Sequence, residues 1–234
     1  MQNRLKIAVI IPALNEEEAL PYVLKEIPDL VHRVIVVDNG SKDNTFKVAK
    51  KYGADAYHEW HRGYGAACLK GIKQLKDEEI ILFLDADYSD YPDKIPLLVD
   101  PIFKGKADLV LSNRFNELLE KGALTPPQYF GNKLAVGLIR LFWGFSYKDL
   151  GPMRVITRDA LDKLDMKDQN YGWTIEMQIK AIQKNLRIRE IDVPYRNRIG
   201  TSKVSGTVKG VILAGWKILS LIFYFKVREI FGRS

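Results

Sequence analysis

Short runs with strand character, most of them rich in β-branched residues, recur along the first half of the chain, each followed by a polar turn and then by a segment long enough for a helix. The runs are Leu5 to Pro12 (LKIAVIIP), His32 to Asp38 (HRVIVVD), Ala54 to His58, Glu79 to Leu84 (EIILFL) and Ala107 to Ser112 (ADLVLS). Continuous rather than alternating hydrophobicity marks strands buried on both faces. The intervening segments, about 16–27, 45–52 and 65–75, predict helices. This order predicts β-α-β units, hence an α/β fold with a mostly parallel sheet flanked by helices. Ligands in such sheets bind beyond the carboxyl ends of the strands. Those ends are polar here: Pro12-Ala13-Leu14-Asn15-Glu16, Asp38-Asn39-Gly40-Ser41, Asp85-Ala86-Asp87 and Asn113-Arg114. Neither GxGxxG after the first strand nor GxxxxGK[ST] is present, which disfavours a dinucleotide fold and a P-loop.

After Arg114 the alternation weakens. Residues 128–144 read as an apolar helix, 149–154 as a turn, 174–184 as a helix and 186–193 as a strand. A chain of 234 residues with 47% hydrophobic content fills one sizeable core. The expected organisation is a catalytic domain over residues 1–205 and a C-terminal basic amphipathic helix over 206–234. Cys68 is the only cysteine, which excludes an internal disulfide and fits a reducing compartment. The apolar run Ile7 to Ile11 is too short for a signal-peptide core. The net charge of +7 is concentrated from Lys184 onward, where eleven Lys and Arg face three acids. That charge is mixed with the apolar stretch Gly210 to Phe225, which favours a lipid surface over nucleic acid. Lys209 and Lys217 interrupt the stretch, so a helix over about 207–225 is expected to lie on a membrane rather than cross it. Lys217, Ser220 and Tyr224 form its expected polar side, and Trp216, Leu219, Ile222 and Phe223 its apolar side. The expected location is cytoplasmic, peripheral to the inner face of a membrane.

Asp85 and Asp87, at i and i+2 on the loop after a buried strand, are the strongest chemical signal. Two carboxylates so placed converge on one divalent cation and the phosphates that it carries, which suits Mg²⁺ or Mn²⁺. Asp38 is placed to accept hydrogen bonds from a base or ribose, with Gly40 in the adjoining turn. Asn15 and Glu16 either contact a nucleotide or begin a helix. Arg62-Gly63-Tyr64-Gly65 brings backbone close to a ligand.

These motifs together resemble glycosyltransferase family 2. The later segments, Gly151 to Arg154, Gly172 to Glu176 and Val193-Pro194 through Arg198, Gly200, Ser202 and Lys203, are similar to the dolichyl-phosphate mannose and glucose synthase branch. The resemblance implies a GT-A fold and inverting transfer from a UDP- or GDP-sugar, most readily to a polyprenyl or dolichyl phosphate. It implies a nucleotide pocket of Pro12, Ala13, Asn15, Glu16 and Asp38, a metal and diphosphate site of Asp85 and Asp87, and phosphate contacts from Arg114, Arg198 and Lys203. Asp149 and Glu176 are the candidate bases for a hydroxyl acceptor. A phosphate acceptor, with a second pKa of about 6, needs none. Three departures stand out: Asn39 replaces the second acid of Asp-Asp-Gly-Ser, Ser89 stands where Gln is usual, and Gly151-Pro152-Met153-Arg154 replaces Ser-Gly-Phe-Arg. The competing readings are a hydroxyl acceptor, a nucleotidyltransferase and a non-catalytic lipid-binding protein.

Overall fold

The structure, a computed structural model, describes residues 5–201 and 208–232. Seven strands form one sheet: β1 (Ile7–Ala13), β2 (Arg33–Asp38), β3 (Asp55–His58), β4 (Ile80–Phe83), β5 (Leu109–Asn113), β6 (Arg154–Thr157) and β7 (Ile188–Asp192). Their order is β3-β2-β1-β4-β6-β5-β7. Strands β1 to β4 pair in parallel, as the helices between them require. Strand β6 runs antiparallel to both β4 and β5, and β5 pairs in parallel with β7. The sheet is therefore mostly parallel with one reversed strand. That strand, RVIT, is too short to stand out by periodicity; it begins at Arg154, the last residue of the expected turn, and runs on through residues assigned no element from the sequence.

The helices are α1 (Leu20–Glu26), α2 (Thr45–Lys51), α3 (Tyr64–Ile72), α4 (Ile95–Phe103), α5 (Pro126–Trp143), α6 (Arg158–Leu164), α7 (Trp173–Gln183) and α8 (Val208–Phe231). Successive strand residues point to opposite faces of the sheet. Val9, Ile11, Val36 and Leu82 accordingly pack with Leu20, Ala49 and Leu98 of α1, α2 and α4. Ile10, Ile35, Val37 and Ile81 pack with Ala67, Ile139, Ile175 and Ile222 of α3, α5, α7 and α8. Two covered faces explain why β1 is buried at every position. Each fully buried Ile or Leu contributes roughly 1.5–3 kcal/mol. Helix α3 approaches so closely that a Cβ on Gly71 would stand 2.5 Å from Ile10 Cγ2.

Helix α8 has two apolar sides. Ile222 and Phe225 are buried, with Ile218 and Leu221 packed beside them against α5 and α7. Leu213, Trp216, Phe223, Tyr224, Val227 and Ile230 are exposed. The faces differ from those expected. Ile222 belongs to the core, and Lys217 turns inward to pair with buried Asp168 at 2.8 Å. Residues 206–234 were expected to form a C-terminal amphipathic helix, and its described part, α8, shares the main core. No helix among the described residues is long and apolar enough to cross a membrane.

Candidate active site

A two-lobed cleft lies at the carboxyl ends of β1, β2 and β4, divided by Asp85, Asp87 and Arg198, which line both lobes. The first lobe, about 370 Å³, is walled by Pro12, Ala13, Leu14, Glu16, Asn39 and Arg62. The second, about 470 Å³, is walled by Arg114, Leu150, Pro152, Tyr195 and residues of α5 and α8, among them Gly131, Asn132, Gly215 and Ile218.

Asp85 accepts a hydrogen bond from Tyr64 Oη at 2.9 Å. Burial, reinforced by the charge of Asp87, pushes the Asp85 carboxyl up to about 6. Asp87 Oδ1 accepts from the Ser89 N–H at 3.0 Å and from its hydroxyl, and Oδ2 pairs with Arg198 Nη1 at 2.9 Å. The other Arg198 terminal nitrogen reaches Glu16 at 3.2 Å. Two acids that repel one another beside a cleft fit a divalent cation, which would relieve that repulsion. Among the described residues no three His, Cys, Asp or Glu side chains form a cation cage. Two carboxylates plus substrate phosphates are a normal set for Mg²⁺. Asp90, behind the loop, is buried with neither carboxyl oxygen hydrogen-bonded, and burial together with Asp85 and Asp87 pushes its carboxyl well up.

Several expected nucleotide residues shape the lobe from behind. Asp38 accepts from the Ser41 N–H at 2.9 Å through one oxygen and lies 3.2 Å from His58 Nδ1 through the other. Asn15, at φ 54°, accepts from the Lys42 N–H at 2.7 Å, and its own N–H donates to Ser41 Oγ at 2.8 Å. Neither side chain lines a lobe, so both act as braces of the β1 and β2 loops. Gly40, at φ 79°, lies under the Arg62 guanidinium. Asn39, read from sequence as a lost carboxylate, lines the first lobe instead. Its Nδ2 donates to the carbonyls of Glu59 and His61, and its Oδ1 accepts from the Gly63 N–H. A carboxylate has no proton to give those carbonyls, which explains the amide.

Beside the second lobe, Asp149 is fully buried and holds Arg114. Its Oδ2 accepts from Arg114 Nε at 2.7 Å and from the Arg114 N–H at 3.0 Å, and Oδ1 accepts from Nη2 at 2.8 Å. Burial opposes the Arg114 charge, but Asp149 more than offsets it and raises the guanidinium above its ordinary value. Glu176, also buried, accepts from the Lys167 and Asp168 N–H groups and pairs with Lys180 at 2.6 Å. Neither acid lines the cleft. Both candidate bases are held by partners within the fold, Asp149 by Arg114 and Glu176 by Lys180 and two backbone N–H groups. Lys203 lies outside the described residues. Tyr64, Tyr171 and Tyr195 line the cleft and were not singled out. Only Tyr64, inside the RGYG segment, carried a local signal.

Residues 8–164, more than half of the chain, match the family described as Glycosyl transferase family 2. The chain belongs to that family. An uncharacterised glycosyltransferase of Mycobacterium tuberculosis is 37% identical over 92% of this chain and 98% of its own length. A dolichyl-phosphate hexose transferase of Haloferax volcanii is 29% identical over 88% of this chain and 90% of that one. A polyprenol monophosphomannose synthase of Mycolicibacterium smegmatis is 28% identical over 85% and 81%. Among solved structures, glucosyl-3-phosphoglycerate synthase of Mycobacterium tuberculosis, crystallised with Mn²⁺, UDP and glucosyl-3-phosphoglycerate, superposes with a TM-score of 0.77. It is 22% identical, covering 95% of this chain and 80% of that one. The fold is thus GT-A, and the protein is a family 2 glycosyltransferase. In this glycosyltransferase the two lobes meet at the acidic pair Asp85 and Asp87.

Proposed function

We propose that this glycosyltransferase moves a sugar from a UDP- or GDP-sugar to a polyprenyl phosphate at a membrane surface, inverting the anomeric centre. The observation that carries the reading is the second lobe. Arg114 and Arg198 line it beside Leu150, Pro152 and Ile218. A phosphate head with a hydrocarbon tail has that chemistry. The donor's nucleoside lies in the first lobe between the Pro12–Leu14 wall and Asn39, with its diphosphate toward Asp85 and Asp87. A bound Mg²⁺ or Mn²⁺ supplies the charge that stabilises the leaving diphosphate. Arg114, fixed by Asp149, orients the acceptor phosphate, and Arg198 stands between the two phosphate positions. A phosphate acceptor is already a nucleophile at neutral pH, which agrees with the commitment of Asp149 and Glu176 elsewhere.

The membrane part of the reading rests on two helices. Phe130, Leu134 and Leu141 form an exposed stripe on α5 at i, i+4 and i+11, flanked by exposed Lys133 and Arg140. The outer side of α8 carries Trp216, Phe223, Val227 and Ile230, with Arg228 exposed beside them. Apolar stripes with basic flanks suit an anionic lipid interface. The decisive assay supplies labelled UDP- or GDP-sugar and Mn²⁺ with short-chain polyprenyl phosphate, the matching polyprenol or 3-phosphoglycerate, each in a separate reaction. Transfer to the phosphate alone is expected. Transfer to the free alcohol, or to 3-phosphoglycerate with none to polyprenyl phosphate, would overturn the reading.

A further inference from the structure

Tyr88, directly after Asp87, has φ 65°. A side chain in the left-handed region costs energy that its surroundings must supply, and such residues gather at functional sites. The reversal at Tyr88 lets Asp87 Oδ1 accept the Ser89 N–H, which sets the orientation of the carboxylate. The groups that hold Tyr88 lie on the side of the loop away from the cleft. Its hydroxyl donates to Glu26, and its ring lies 5.4 Å from that of Tyr22. The Arg196 guanidinium stacks 3.3 Å from the Tyr88 ring centroid and 4.1 Å from that of Tyr91. Arg196 Nε donates to the Tyr88 carbonyl at 2.6 Å, and Nη2 donates to the Asp90 carbonyl at 3.0 Å and pairs with Glu26 at 2.7 Å. The chain around Arg196 is also tied to the loop. The Arg196 N–H donates to the Ser89 carbonyl and the Ile199 N–H to the Asp87 carbonyl, both at 3.0 Å. Neither Arg196, Glu26 nor Tyr88 lines either lobe.

We propose that Arg196 and Glu26 are positioning residues for the metal loop, holding Tyr88 in its left-handed conformation and so fixing where Asp87 presents its carboxylate. This rests on the assignment of the cation to Asp85 and Asp87 and is independent of the acceptor. Charge alone predicts opposite effects for the two residues: removing the Arg196 cation would strengthen Mn²⁺ binding, and removing the Glu26 anion would weaken it. Positioning predicts that both weaken it.

The test measures Mn²⁺ affinity of the full chain by the EPR signal of the free ion, with melting temperatures alongside. Arg196→Met and Glu26→Gln should each bind Mn²⁺ about tenfold more weakly, or about 1.4 kcal/mol. Arg196→Lys should not restore binding, because an ammonium cannot stack on the ring while donating in a planar fork. Tyr88→Gly in the Arg196→Met background should recover most of the affinity, since glycine takes positive φ without the Cβ penalty. Arg196→Met binding Mn²⁺ as tightly as the wild type, or more tightly, would overturn the proposal, as would a glycine variant that restores nothing. If Arg196→Met does not fold, Glu26→Gln and Tyr88→Phe decide the matter, and wild-type affinity in both refutes it. A wild type that itself fails to bind Mn²⁺ would remove the cation assignment as well, which separates the two failures.

Discussion

Replacing Asp149 by Asn separates a structural acid from a catalytic base. The carboxylate receives three hydrogen bonds from Arg114, two of them from the guanidinium, and none of its surface reaches solvent. Bonds between charged partners contribute about 1.5–3 kcal/mol each, so the guanidinium contacts alone amount to about 3–6 kcal/mol. Breaking a buried pair by removing one partner costs about 3–5 kcal/mol, which agrees. Asn also turns an NH₂ toward a group that only donates, so the full loss is expected. For a chain of this length about 3–5 kcal/mol lowers the melting temperature by roughly 6–20 °C. Calorimetry on the wild type and Asp149→Asn reads the shift, and steady-state kinetics should show the acceptor's kcat/KM falling while donor affinity is kept. A variant that melts within about 2 °C of the wild type while kcat falls more than about 10³-fold would refute the structural role, because that is how a lost base behaves.

Asp87→Ala should abolish Mn²⁺ binding and lower turnover by at least about 10²–10³-fold, the loss typical of a removed electrostatic stabiliser; unchanged activity with and without EDTA would contradict it. Arg198→Ala should reduce the acceptor's kcat/KM about 10–100-fold, from one or two lost charge-assisted bonds, with a smaller effect on donor KM; an unchanged rate at subsaturating acceptor would count against it. Phe223→Glu and Trp216→Glu, both on the exposed side of α8, should release the folded protein from anionic liposomes in flotation. These point variants test membrane docking better than removal of residues 207–234, which would strip Ile222 and Phe225 from the core. Asp85, raised from 3.8 to about 6 in the fold, favours the native state when protonated; its contribution is complete below about pH 4 and lost as pH rises through about 6. The stability difference between metal-free wild type and Asp85→Asn should shift against the wild type across that window, and an opposite slope would disprove the assignment.

The half of the cleft at the ends of β1, β2 and β4 was largely legible in the sequence. Each β-branched run of the first half became a strand, and parallel pairing puts the loops after those strands on one edge of the sheet. Asp85, Asp87, Pro12, Ala13 and Glu16 reach the cleft for that reason. Local order was enough, because strand, turn and helix recur there within about 30 residues. The second lobe was not legible in the same way. Arg114 and Asp149 are 35 residues apart and meet only because β5 and the turn before β6 are brought side by side by an antiparallel strand of four residues. A carboxylate on a polar turn and one sealed against a guanidinium have the same letter, so the sequence left Asp149 open as a base, and its burial against Arg114 is visible only in the fold. Helix α8 illustrates the same limit. Its composition announced two kinds of surface, but which side meets the core was set by contacts with α5 and α7, and these drew Ile222 inward and left Trp216 and Phe223 outside. Periodicity fixes the elements and the edge where ligands bind, whereas the partner of each buried charge and the inward side of each apolar helix depend on chain segments that only the tertiary fold brings together.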